Sequence, residues 1–129
     1  MRIEDYFQLL RKTIDDCPAA RTSSVTYDKR GTYEGFIRGE IYFVNESVLH
    51  FREFIDVENE VERLMYVYHY VDASKELVFR YDNTGHHKRL KLPTYPHHKH
   101  DGSESDVLPA SPRELASVLV EIERLLPLL

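Results

Sequence analysis

The chain has 129 residues, 42% hydrophobic and 30% charged, with a formal net charge of −5. That length suits one domain spanning 1–129, and the balance is that of a folded chain rather than a disordered one. A lone cysteine, Cys17, excludes an internal disulfide framework and any cysteine-based zinc cluster.

No apolar run approaches the roughly 20 residues of a membrane span. The start, Met1-Arg2-Ile3-Glu4-Asp5, lacks a leader's apolar region, so the expected location is the cytoplasm, with no membrane partner. The mild acidity speaks against a non-specific coat for nucleic acid, but leaves room for a local basic site.

Over residues 3–17, Ile3, Phe7, Leu10, Ile14 and Cys17 recur at spacings of three and four, the stripe of an amphipathic helix that Pro18 ends. From residue 21 the period becomes two. Ser24 to Tyr27 is a short β-rich run closed by Asp28-Lys29-Arg30-Gly31. Residues 35–44 set Ile37, Ile41 and Phe43 against Arg38 and Glu40; residues 47–55 set Leu49, Phe51 and Ile55 against His50 and Arg52. Asn45-Glu46 fits the turn between them. Residues 61–71 and 76–82 alternate again, with Asp72 to Lys75 as their turn.

Four short connections join five strands within 21–82, which predicts a meander. Residues 83–110, rich in proline, glycine and serine and without a period, read as a long loop. Ser111 as N-cap, Pro112 at the first helical position and Glu114 at the third then predict a closing helix over 112–126, with Leu115, Leu119, Ile122 and Leu126 as its stripe. The expected fold is α+β: a five-stranded, mainly antiparallel meander with the N-terminal and C-terminal helices on one face.

The charge is unevenly spread. Residues 86–100 hold five of the seven histidines, four cations and no acid. Histidine titrates near neutrality, so a neutral and a protonated imidazole together can fill both proton roles of a metal-free ribonuclease, in which RNA supplies its own 2′-OH. The candidates for proton transfer are His86, His87, His97, His98 and His100. Arg80, Lys99 and Lys88 are candidates for phosphate, and Asp82 or Glu53 for orienting a histidine. Tyr70, Tyr81 and Tyr95 are candidates for base stacking.

A second reading is a divalent metal such as zinc or nickel at His98 and His100, supported by Asp82 or Asp101. It ranks lower, because adjacent histidines in extended chain point apart and the nearby cations oppose a divalent ion; no cofactor is the first expectation. A third reading is a non-catalytic interaction module, and a fourth a plain solvated connection.

His50 and His69, lone histidines on alternating strands, read as having no role. Tyr66 and Tyr68 read as packing under a helix, and Cys17 as packing. Glu53 breaks an apolar face, as an active-site carboxylate or an edge device against aggregation. An exposed strand edge can pair two copies into a homodimer.

The run Tyr68-His69-Tyr70-Val71-Asp72, then Phe79-Arg80-Tyr81-Asp82-Asn83, His86-His87 and Thr94-Tyr95-Pro96-His97-His98-Lys99-His100 resembles the TumE family, toxin components of prokaryotic toxin–antitoxin systems. The likeness covers nearly the whole chain. Tyr95, where the family favours phenylalanine, and Thr84-Gly85 depart mildly from it. The resemblance implies a small toxin with a cognate antitoxin encoded beside it, usually a helix-turn-helix repressor. Small toxins built of helices and an antiparallel sheet often cleave mRNA, which makes RNA the implied substrate.

Overall fold

The computed structural model describes residues 1–83, 97–102, 107–109 and 113–126. Helix α1 spans Ile3–Asp15 and buries Ile3, Tyr6, Phe7, Leu10 and Ile14. Glu4 and Asp5 in its first turn suit the positive end of the helix dipole. Asp16 caps it, so the helix stops short of the expected Cys17. Cys17 instead donates its N–H to the Ile14 carbonyl at 3.1 Å and is buried in the turn that follows.

Five strands follow in chain order: β1 (Ala20–Lys29), β2 (Glu34–Phe43), β3 (Val48–Asp56), β4 (Glu62–Val71) and β5 (Leu77–Asp82). The β2–β3 turn places Glu46 at φ 68°, and the β4–β5 turn places Lys75 at φ 66°. In the second turn Asp72 Oδ1 accepts from the N–H groups of Ser74 and Glu76 at 2.9 and 3.0 Å.

The strand count is larger than the sequence predicts. Strands β6 (His98–Asp101) and β7 (Val107–Pro109) arise inside 83–110, the stretch expected to be a loop. The described strands form one seven-stranded sheet in the order β1 to β7, and every neighbouring pair is antiparallel. The meander thus extends two strands further.

Helix α2 spans Leu115–Leu125, a later start than expected. Glu114 is extended, at φ −129° and ψ 162°, and its backbone carbonyl accepts from Ser117 Oγ at 2.9 Å. Its carboxylate meets Arg63 of β4 at 3.1 Å, which ties the entry residue down outside the helix. Ser111 and Pro112 lie outside the described residues.

One face of the sheet forms the core. Ile37, Ile41, Leu49, Phe51, Tyr66, Tyr68, Phe79 and Tyr81 pack against Ile3, Phe7 and Leu10 of α1 and Leu115, Leu119 and Ile122 of α2. Both helices sit on this side, as the sequence predicts. Helix α1 lies so close to β2 that a Cβ on Gly35 would stand 2.7 Å from Ile3 Cγ1 and Phe7 Cζ. Gly35→Ala should therefore destabilise by about 1–3 kcal/mol through overpacking. Gly31→Ala, at a position with nothing within 4 Å, should stay within about 0.5 kcal/mol. Urea unfolding midpoints check both.

Candidate functional site

Alternation along strands sends every second side chain to the face without helices. Two register rows cross that face. In the first, Ser24 pairs with Glu40, Glu40 with His50, His50 with His69, His69 with Arg80, and Arg80 with His100. In the second, Thr26 pairs with Arg38, Arg38 with Arg52, Arg52 with Val67, and Val67 with Asp82. The rows line a cleft of about 530 Å³ whose walls include Arg38, Glu40, His50, Arg52, His69 and Arg80.

The cleft holds two imidazoles and three guanidiniums in a small space. The rings of His50 and His69 lie 6.1 Å apart across the β3–β4 pairing. His50 Nδ1 is 3.4 Å from Glu40 Oε1, and the Tyr42 hydroxyl donates to the other oxygen of the same carboxylate. That bond holds the Tyr42 phenol above its ordinary pKa. Glu40 thus touches both His50 and Tyr42 and is placed to orient the imidazole. At the far end, Asp82 Oδ2 lies 3.1 Å from Arg80 Nε and 3.6 Å from His100 Nε2. Asp82 and His100 are 1% and 3% exposed, so this carboxylate anchors Arg80 from behind the cleft. Guanidiniums bind phosphate through fixed forks of donors, and imidazoles move protons near neutral pH.

The expected histidine pocket is only partly assembled. Strand β6 does bring the second cluster back alongside Arg80 and Asp82. Alternation then divides it. His97 stacks on Tyr66 on the helix-bearing face, with centroids 5.7 Å apart and Nδ1 2.8 Å from the Tyr66 hydroxyl. His100 sits on the opposite face with Asp82. Lys99 lies under α2, with Nζ 5.1 Å from the Tyr81 centroid and 3.7 Å from Glu121 Oε2. Burial alone would lower the Lys99 pKa, but Tyr81, Glu121 and Asp101 together raise it, so it serves α2 docking as a fixed cation. The backbone of His98 pairs with Asp82, while its side chain lies outside the described residues, as do His86, His87, Lys88 and Tyr95.

Other expectations are corrected by burial. Tyr70 and Tyr81 are 0% and 2% exposed and offer no face to a base. The Tyr70 hydroxyl donates to Ser47 Oγ at 2.6 Å, and the Tyr81 hydroxyl to Glu121 Oε1 at 2.7 Å. Glu53 is fully buried beneath α1, on the side away from the cleft, and β3 is an interior strand. It is neither an edge device nor part of the cleft. It accepts hydrogen bonds from the hydroxyls of Tyr6 and Tyr68, the latter at 2.6 Å. Burial raises its pKa, although those two bonds pull the other way.

The residues that sequence reasoning passed over are Arg38, Glu40, His50, Arg52 and His69. Their signal was a shared parity: Glu40, His50, His69 and Arg80 fall opposite one another from strand to strand, and Arg38 falls opposite Arg52.

Among the described residues, no three His, Cys, Asp or Glu side chains are placed to hold a metal ion, and no helix is long and apolar enough to cross a membrane. A family model described as Toxin TumE matches residues 10–126. No curated protein and no solved structure gives a match. A toxin family implies an antitoxin as partner, and this chain, matched from within α1 to the end of α2, belongs to the TumE toxin family.

Proposed function

We propose that the protein acts as an RNA endonuclease within a prokaryotic toxin–antitoxin pair, cutting in the cleft on the helix-free face without a metal. One observation carries this reading: His50 and His69 face each other at 6.1 Å in a cleft lined by Arg38, Arg52 and Arg80. RNA brings its own nucleophile. His50, held at Nδ1 by Glu40, takes the proton of the 2′-OH through its other nitrogen. The 2′-oxygen attacks the adjacent phosphorus, and the bond to the 5′-oxygen breaks as His69 protonates that leaving oxygen. The products are a 2′,3′-cyclic phosphate and a free 5′-hydroxyl. The guanidiniums hold the phosphate and the charge that builds on it.

This reading moves proton transfer from the 86–100 stretch to the sheet. Arg80 keeps its phosphate role, and Asp82 becomes a positioning residue for it. The antitoxin expected is a helix-turn-helix protein that masks this face, and the action on RNA belongs in the cytoplasm.

Purified protein incubated with a mixed RNA pool should cleave it equally with and without a chelator, leaving cyclic phosphate ends. Loss of cleavage with chelator and rescue by Zn²⁺ or Mn²⁺ would instead favour a metal-dependent hydrolase. RNA left intact would favour a non-catalytic interaction module. Arg38→Ala or Arg52→Ala should weaken RNA binding across sequences and flatten the plot of log affinity against log salt by about 0.7 to 1 per charge removed.

A further inference from the structure

The cleft does not use the whole helix-free face. One step along the strands beyond Arg38 and Arg52 lies a row of a different kind. Phe36 pairs with Phe54 across β2 and β3, and Phe54 with Met65 across β3 and β4. All three are half-buried and none belongs to the buried core. Arg30 places its guanidinium carbon 5.7 Å from the Phe36 centroid and is itself held by Asp28 at 2.7 Å. Two residues along a strand span about 6.6–6.8 Å, the scale of one nucleotide step in an extended single strand. Aromatic rings beside a cationic groove are the general solution for holding unpaired bases, because every base has a π-face.

We infer that Phe36 and Phe54 form a stacking shelf for an unpaired base whose neighbouring phosphate lies on Arg38 and Arg52, which makes single-stranded RNA the substrate class. The inference rests on the RNA reading of the cleft. A duplex keeps its bases stacked inside and has no free face to offer the shelf. The Arg30 guanidinium, already over Phe36, bounds the shelf at its β1 end.

The test uses the full chain and a short fluorescent single-stranded 2′-O-methyl RNA, which has no free 2′-hydroxyl and stays intact. Phe54→Leu keeps the apolar bulk and removes the ring. It should weaken binding roughly five- to hundredfold, the range that follows from the usual stacking contribution per base. Phe54→Trp should bind as tightly as the parent or more so. Inorganic polyphosphate, a polyanion without bases, should bind parent and Phe54→Leu alike.

Phe36→Leu gives a second, independent variant if the first does not fold. Binding unchanged in both leucine variants, but weakened in Arg52→Ala, overturns the shelf and leaves the cleft reading standing. Polyphosphate binding that falls together with RNA binding also overturns the shelf, since the loss is then a general disturbance. A parent protein that binds no RNA overturns the cleft reading, and the shelf with it.

Discussion

Replacing His50 or His69 with alanine should lower RNA cleavage by about 10²- to 10⁴-fold, the usual worth of a positioned proton donor or acceptor. Growth arrest on expression should disappear with it. His50 is exposed and His69 half-buried, and neither belongs to the core. The thermal midpoint should therefore move by no more than about a few degrees.

The rate against pH should be bell-shaped for the parent, and each variant should lose one limb. His50→Ala should lose the limb on which a base must be deprotonated, and His69→Ala the one on which an acid must stay protonated. The double variant should be about as slow as the slower single one, because the two imidazoles act as a unit. Glu40→Gln should lower kcat and spare KM, since Glu40 acts on His50 rather than on substrate. Full activity in both alanine variants would end this assignment. Replacement of His100 is a poorer probe, because it strips a buried partner from Asp82.

Glu53→Leu should destabilise by about 2–6 kcal/mol, because two buried tyrosine hydroxyls lose their acceptor at roughly 1–3 kcal/mol each. Glu53→Gln, which keeps an acceptor, should cost much less. The pH dependence has a definite sign. Burial raises the pKa of Glu53 in the folded state. Between the unfolded value, about 4.3, and the raised folded one, the native state holds a proton that the unfolded chain has released. Stability from this group is full below the unfolded value and is lost as pH rises through the folded one. The stability of the parent minus that of Glu53→Gln should thus fall with rising pH. Urea unfolding at a series of pH values measures it. A difference that grows with pH would mean that the Tyr6 and Tyr68 hydrogen bonds and the charge of Arg63 outweigh burial.

The architecture was legible where hydropathy and geometry agree. Strands β2 to β5 each set their core members on one parity, and both helices bury a stripe. Strand β6 carries no such signal, since His98-Lys99-His100-Asp101 is polar on both sides. Lys99 is accommodated by ring faces and Glu121, and His100 by Asp82, all of them partners that only the fold supplies. A buried polar residue with a distant partner looks, in sequence, like a solvated one.

The cleft was hidden for a related reason. His50 and His69 are ordinary alone and become a pair only through the β3–β4 register. Density of histidine in 86–100 marks a stretch whose described end, 97–100, alternation splits between two faces.

The uninterrupted meander orders events during synthesis. Each strand finds its partner in the next one made, and contacts close in sequence favour rapid folding. Arg38, His50, Arg52, His69 and Arg80 all emerge from the ribosome before β6 and α2 exist. On the ribonuclease reading proposed above, every cleft residue is thus made within the first two thirds of the polypeptide, and durability is added afterwards, when the closing helix seals the greasy underside.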